Sequence, residues 1–585
     1  PTRGHMPRFV QCLLTVSVLL ILPASAHADW TRMRTANFLF IADTTDGQLR
    51  ETARKLELFR EVMLRALPNA SPISPIPTVV ILFQRDRSLS PFKPQYGGRN
   101  TEVGGYFLSY EDINYLVVNI ENGEVGFSTV FHEYSHFLTS NGLGPIPVWA
   151  NEGLAQFYES FQERDSGRVA IIGSPIHDPV AVLRQSTPIP IEDLIAVTSG
   201  SPVYNEGSRR GVFYAQSWAL MHYLIMGNNQ KRMPQLLEYL SQIRTGTSPE
   251  AAFRNAFGAD LSVLDREVRE YVSQVSVMKL RITFDDRVET SIPQRGEKID
   301  DLEADSYLGD LQARIGRSDE ARARLENVLK RLPGTARATQ ALGLMEFRAN
   351  HLDVALPLLE KAAAEGPDDG LVQGAYGSAL IHQVSQLQPG TETFSATLKR
   401  ARTALARAVE LEPNVARLLA LLGFAELAAG EDLKRAESLL IRSINLAPSR
   451  EENRLVLAQV FLRQAEFTRA TDILGTLLAN STQAGIKQQA RDMLRTSRQR
   501  QERRRISGQA LRILVARCTS ISAACAASGN TAQRNARHGR QAAEPTPAIE
   551  EMPTSINQVS ENASSSAAVA EQARQNAEQG ALAVS

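Results

Sequence analysis

The sequence predicts two unlike parts, an α+β domain followed by an all-α solenoid of repeated helix pairs. Three observations carry that reading. Short β-rich runs, "NFLFIA" (37–42), "TVVILF" (78–83), "GGYFLSY" (104–110) and "NYLVVNI" (114–120), accompany a helical stretch at 46–66. From about residue 300 the texture changes to Ala, Leu and Arg at helical spacing, with almost no β-branched runs. Within that half, Gly309, Ala321 and Pro333 recur 34 positions later as Gly343, Ala355 and Pro367, with Leu325 and Leu359 between them.

Taken in order, residues 1–28 read as a secretory signal peptide. Arg3 and Arg8 precede the apolar run "FVQCLLTVSVLLIL" and the small-residue stretch "PASAHA". The run at 9–22 is shorter than the roughly twenty residues a bilayer span needs, so no stable membrane span is expected once the leader is removed. Met6 is the expected start, and the mature chain is expected to begin near Ala28 or Asp29. The expected destination is the bacterial periplasm or the extracellular space. Cys12 leaves with the leader. Only Cys518 and Cys525 remain, so a cysteine-rich metal site is excluded and at most one disulfide is available.

Residues 29–275 read as the α+β domain, in which several strands precede the motif described below. Gly/Pro-punctuated loops follow it, and then helices near 211–226, 230–244, 248–256 and 260–274. Residues 276–300 read as a linker, and residues 301–505 as five repeats closed by a polar helix at 484–500. The third repeat carries Gly377, Ala401, Leu405 and Pro413, with "SQLQPGTETFS" lengthening the loop between its helices. The fourth has Gly423, Ala436, Leu440 and Pro448, and the fifth Ala458, Ala470 and Leu474. The period and its small residues are those of tetratricopeptide repeats, where small side chains let paired helices approach. Residues 506–585, rich in Ala, Ser, Gln and Asn, read as mostly disordered. Lys plus Arg and Asp plus Glu both total 64. With no net charge, and with the arginine cluster at 498–505 lacking an aromatic platform, no nucleic-acid partner is expected.

The chemistry sits in "STVFHEYSHFL" (128–138). Two of only nine histidines fall four residues apart. On a helix His132 and His136 then share one face and can both reach one ion at about 2.0–2.1 Å. Glu133 projects beside it, placed to take a proton from water. Two histidines do not complete a catalytic zinc site, and "VWANEGLAQFYE" (148–159) offers Glu152 on a second helix, separated from the first by Gly142, Gly144, Pro145 and Pro147.

The pair "HEYSH" and "NEG.A" resembles the gluzincin, or MA-clan, zinc metallopeptidases. The closest likeness is to bacterial peptidase MA-like domains that are often joined to tetratricopeptide repeats. The resemblance covers residues 29–275 as architecture and 128–159 as motif. It implies a zincin-like metallopeptidase domain that holds one Zn2+ per chain through His132, His136 and Glu152, with Glu133 as general base. It also implies that Glu159 orients a ligand from behind. Tyr214, in "FYAQSWALMHYL" (213–224), is then the candidate oxyanion stabiliser, with Tyr204 behind it. The likeness further implies a small sheet against the active-site helix whose edge strand takes an extended peptide, a role assigned to "NYLVVNI". The Gly-x-Met-Glu-Asn strand of the M1-type aminopeptidases does not occur between residues 76 and 130. The expected activity is therefore that of an exported endopeptidase. His222, four residues from Trp218 on an apolar face, reads as a packed core histidine.

On this reading the repeats recruit protein substrates or partners, and the two halves are separable near residue 290. The alternative is an envelope scaffold built on the repeats, with a latent or inactive zinc domain.

Overall fold

The computed structural model describes residues 30–66, 76–285 and 292–502, with short breaks at 97–98, 102, 144–145, 177, 199, 206–208, 245–246, 259, 275–278, 482 and 500, together with residues 509 and 513. The leader, most of the C-terminal tail, Cys518 and Cys525 lie outside the described residues. Among the described residues no helix is long and apolar enough to cross a membrane.

Six strands form the central sheet. They are β1 (Thr31–Arg34), β2 (Phe38–Asp43), β3 (Thr78–Phe83), β4 (Gly105–Ser109), β5 (Asn114–Asn119) and, after the rest of the domain, β9 (Glu297–Lys298). The order across the sheet is β9-β1-β2-β3-β5-β4. β2, β3 and β5 run parallel, and β4 closes the edge antiparallel to β5. The expectation that "NYLVVNI" is the edge strand is therefore corrected. All six residues of β5 are buried, as suits an interior strand flanked on both sides, and the edge position belongs to β4.

Helices cover both faces of the sheet. On the front, Phe38, Phe40, Val80, Leu82, Leu116 and Val118 meet α1 (Asp46–Ala66) and α2 (Gly123–Leu143) through Leu56, Phe59, Val130, Phe131 and Tyr134. The alternate residues Leu39, Ile41, Val79, Ile81, Phe83, Tyr115 and Val117 point to the back, as the two-residue period of a strand requires. There they meet Ala304, Tyr307, Leu308, Leu311 and Ile315. Those residues belong to, or directly follow, the first solenoid helix.

After α2 come α3 (Val148–Glu159) and a three-stranded sheet of β6 (Gln162–Arg164), β7 (Val169–Ile172) and β8 (Leu280–Thr283). Between β7 and β8 run α4 (Arg209–Gln230), α5 (Met233–Arg244), α6 (Pro249–Phe257) and α7 (Leu261–Gln274). The regular part of α4 ends before Gly227, where ψ is 144°, and left-handed Asn228 and Asn229 turn the chain.

The stretch 276–300 is thus no free linker. β8 pairs with β7, and β9 pairs with β1. Gly296 lies so close to β1 that a Cβ there would meet Thr31 Cγ2 at 2.2 Å. Chain beyond residue 290 is built into the sheet, which corrects the expectation that the halves part there.

The solenoid consists of five helix pairs: α8/α9 (Asp301–Arg314, Ser318–Arg331), α10/α11 (Ala336–Arg348, Leu352–Glu365), α12/α13 (Gly370–Gln386, Glu392–Leu411), α14/α15 (Ala416–Ala429, Leu433–Leu446) and α16/α17 (Glu451–Arg463, Phe467–Asn480). A further helix spans 484–499. The repeated glycines explain the tight pairing. A Cβ at Gly309, Gly343, Gly377 or Gly423 would sit 2.6–2.9 Å from Leu325, Leu359, Leu405 or Leu440 of the paired helix. The extra residues of the third repeat do not simply lengthen its loop. They extend α12 and α13 to 17 and 20 residues, leaving only 387–391 between them. The reason is local: Thr391 caps α13 by accepting from the Phe394 N–H, so helix begins immediately after the turn.

Candidate metal centre

α2 and α3 bring the motif residues together. His132 and His136, one turn apart on α2, share a face with half-buried Glu133, while Tyr134, Ser135, Phe137 and Leu138 are buried. The helix is seated by aromatic packing, with Phe131 stacked on Phe59 at 4.3 Å and Phe107 of β4 lying 5.6 and 5.5 Å from Tyr134 and Phe137. β4 also passes very close to α2. A Cβ on Gly105 would stand 2.9 Å from the Gly126 carbonyl oxygen.

Glu152 reaches the histidines from α3. Its Oε2 lies 3.4 Å from His132 Nε2 and 3.6 Å from His136 Nε2. The three ligand atoms all fall within 4.8 Å of one another. A tetrahedron with bonds of 2.0–2.1 Å has an edge of about 3.3–3.4 Å, so this donor set fits one zinc ion. Glu152 Oε2 is, moreover, buried without a hydrogen-bond partner, as is His136 Nδ1. The glycine of "NEG" has a steric cause. A Cβ on Gly153 would approach the Ser217 carbonyl oxygen of α4 to 2.5 Å, so only glycine lets α3 cross α4 at this depth.

Glu159, seven residues along α3, stands 2.7 Å from His132 Nδ1. If Nδ1 carries the proton, the lone pair of Nε2 faces Glu152, which is the tautomer a metal ligand needs. Burial works to lower the pKa of His132, but the carboxylates of Glu152 and Glu159 beside it outweigh burial and raise the pKa well above the ordinary histidine value. Burial likewise pushes the Glu152 pKa up, yet the two histidines hold it well below the usual carboxylate range.

Of the two tyrosines, Tyr204 is the one in contact with the cluster. Its hydroxyl donates to Glu152 Oε1 at 3.0 Å. Tyr214 stacks against the Tyr204 ring at 6.1 Å, with the Arg210 guanidinium 5.6 Å from its own ring. The order expected from sequence, Tyr214 first, is thus reversed by proximity. Tyr204 lies in a single helical turn, Pro202–Asn205, between β7 and α4, too short for any periodicity to mark the position. Burial, with Glu152 adding to it, pushes both hydroxyl pKa values up, so both remain protonated donors. His222 is buried, with Nδ1 2.8 Å from the Tyr271 hydroxyl and Nε2 2.9 Å from the Gly173 carbonyl oxygen, a core histidine as expected.

Comparison with known proteins agrees with this geometry. Residues 100–274 match the model of the Peptidase MA superfamily. The chain carries a peptidase MA-like domain. Joined to it are tetratricopeptide repeats, evident in the 34-residue spacing and the five helix pairs. Solved repeat proteins resemble parts of the chain. YrrB, described as a TPR protein with an unusual peptide-binding site, is 18% identical with a TM-score of 0.28, over 33% of this chain and 92% of its own. TTC0263, a thermophilic TPR protein of Thermus thermophilus, is 21% identical with a TM-score of 0.26, over 33% and 98%. Yeast Tom70 is 14% identical with a TM-score of 0.28, over 68% and 86%. No curated protein matches the chain.

Proposed function

We propose that the N-terminal domain is a zinc-dependent endopeptidase, exported to the periplasm or beyond by the leader at 1–28, and that the repeats engage its protein substrates or partners. The observation that carries this reading is the convergence of His132, His136 and Glu152, with Glu152 Oε2 3.4 and 3.6 Å from the two Nε2 atoms and all three ligand atoms within 4.8 Å, and with Glu133 one residue from the first ligand. An ion held there supplies Lewis-acid chemistry, acidifying water and polarising a scissile carbonyl. Glu133 takes the proton from the attacking water and passes it to the leaving amine. Glu159 keeps His132 in its ligand tautomer and orientation. Tyr204 steadies Glu152, and the protonated hydroxyls of Tyr204 and Tyr214 are donors for negative charge developing on the carbonyl oxygen.

Zinc analysis combined with casein and peptide-library digestion tests the proposal. Glu133→Gln should keep about one zinc per chain and lose roughly 10²–10⁴-fold in hydrolysis, since the amide preserves shape but accepts no proton. Residual activity within about tenfold of the natural chain removes Glu133 as the base. A second reading, a scaffold whose cleft is silent, is favoured by the Tyr204 hydroxyl lying against Glu152. Stoichiometric zinc without cleavage by the natural chain would select it.

A further inference from the structure

Glu152 turns its two carboxylate oxygens to different partners. Oε2 is buried, has no hydrogen-bond partner among the described residues, and lies 3.4 and 3.6 Å from the Nε2 atoms of His132 and His136. Oε1 accepts from the Tyr204 hydroxyl at 3.0 Å. One oxygen thus faces the two imidazoles bare, and the other is held from outside the ligand set.

The donor is placed as firmly as the acceptor. Tyr204 stands in the single turn Pro202–Asn205, where its N–H donates to the Ser201 carbonyl oxygen at 3.0 Å. Its ring meets Phe213 edge-on at 5.6 Å and lies against Tyr214 at 6.1 Å. Both of those rings belong to α4, the helix whose Ser217 carbonyl oxygen leaves no room for a side chain at Gly153. One helix therefore sets the depth of α3, which carries Glu152, and also the place of the hydroxyl that meets it.

The arrangement matters because a carboxylate can bind a metal through one oxygen or two. With two imidazoles, one oxygen completes three protein bonds and leaves the fourth tetrahedral position open, whereas two oxygens fill that position or drive the ion to five bonds. Hydrogen bonds from outside the ligand set are what hold a ligand in one orientation. Glu159 stands in that relation to His132, at 2.7 Å from its Nδ1.

We infer that Tyr204 is a positioning residue that limits Glu152 to a single metal-bonding oxygen by holding Oε1, and so keeps one coordination position open. The inference rests on the zinc reading above. It concerns the resting site, before substrate is present, and is separate from donation to a carbonyl oxygen. Tyr204 arrives on its own turn and not on α2 or α3, so its hold can be removed without altering any ligand.

The test loads the full chain to saturation with cobalt(II), which unlike zinc absorbs visible light. Tetrahedral cobalt(II) absorbs strongly because its site lacks a centre of symmetry, and absorption per ion weakens when a fifth ligand is added. The natural chain should bind one cobalt with intense four-coordinate bands. Tyr204→Phe keeps the ring against Phe213 and Tyr214 and removes only the hydroxyl. It should still bind one cobalt but lose visible intensity as Oε1 turns to the ion, and X-ray absorption of its zinc form should show one more light-atom neighbour than the natural chain. Tyr204→Leu should show the same loss, and Tyr214→Phe should keep the natural spectrum. A natural chain that binds neither ion defeats the zinc reading and this inference with it. One bound cobalt with identical spectra in the natural and Tyr204 variant chains defeats the inference alone, as do five-coordinate bands in the natural chain. An equal change in Tyr214→Phe would trace the effect to polarity around the site and overturn the assignment to Tyr204. Failure of Tyr204→Phe to bind cobalt while it keeps its native circular dichroism spectrum overturns it too, since Tyr204 would then be needed for binding and not for its manner.

Discussion

The two faces of the central sheet are packed by different means. On the front, Phe59, Phe107, Phe131, Tyr134 and Phe137 form a run of ring contacts at 4.3–6.2 Å beneath the metal-ligand helix. On the back, Leu39, Ile41, Val79, Ile81 and Val117, together with Phe83 and Tyr115, meet one helix of the solenoid, and polar pairs link the two. Arg32 pairs with Glu303, Tyr115 donates to Asp310 at 2.6 Å, and Arg314 grips Asp112. Rings packed in stacked and tilted pairs fix the orientation of a helix that must hold two imidazoles. On the back, where most of the strand residues are aliphatic, hydrogen-bonded side chains specify how the first repeat sits. The front is a positioning device and the back a docking surface, and the same strands serve both.

If that comparison holds, the largest effect follows from removing the back layer. A chain ending near residue 290 lacks β9 and α8 and bares Leu39, Ile41, Val79, Ile81 and Val117 together. Burying each such side chain is worth roughly 1.5–3 kcal/mol, so the expected product is aggregated or molten, without cooperative thermal unfolding and without bound zinc. A chain ending after α9 should recover both. A soluble, zinc-loaded product ending at 290 would show that the back layer is dispensable.

Smaller effects separate the means of the two faces. Phe131→Ala removes a fully buried ring from the front and should cost about 3–5 kcal/mol, read from the urea midpoint at unchanged slope. Glu159→Gln leaves packing intact but weakens the hold on His132 Nδ1. Zinc affinity should fall about 10–100-fold in chelator competition, with thermal stability of the metal-free protein nearly unchanged. An unchanged zinc affinity would mean that Glu159 does not orient the ligand.

What sequence could and could not reveal follows the same division. The pairing of Gly309 with Leu325, repeated as Gly343 with Leu359, is legible because each repeat touches its neighbours and the landmarks recur at a fixed distance. The pairing of His132 with His136 is legible because four positions on one helix are a fixed geometric relation, whereas Glu159 behind it is what the resemblance of "NEG.A" to the gluzincins implies. The back layer was less visible, although "FLFIAD", "TVVILF" and "NYLVVN" each hold an unbroken run of at least four apolar residues, the pattern of strands covered on both faces. That pattern calls for a second layer without saying that it comes from residues 301–315. The contact of Glu111 with Arg450 spans 339 positions and leaves no local trace. Tyr204 was ranked behind Tyr214 for a related reason, since its contact with Glu152 depends on a short helical turn that leaves no periodic signal.

The smallest expected effect concerns the rim itself. Burial pushes the Asp112 carboxyl up, but the Arg314 guanidinium bonded to it, with Arg348 beyond, holds its pKa down at about 2. An unfolded aspartate titrates near 3.9. A carboxyl whose folded pKa is depressed contributes stability that is fully present above the unfolded value. That stability is lost as pH falls through the folded value, so the window runs from about pH 4 down to pH 2. The side chain is 43% exposed, and solvent screening limits the contribution to on the order of 1 kcal/mol. Asp112→Asn should therefore be less stable than the natural chain by about that amount at pH 7, and the difference should close as pH approaches 2. Urea midpoints of both proteins across pH 7 to 2 check this. A gap that stays constant over the range would mean that the ion pair does not stabilise the rim, and that apolar packing alone holds the back face.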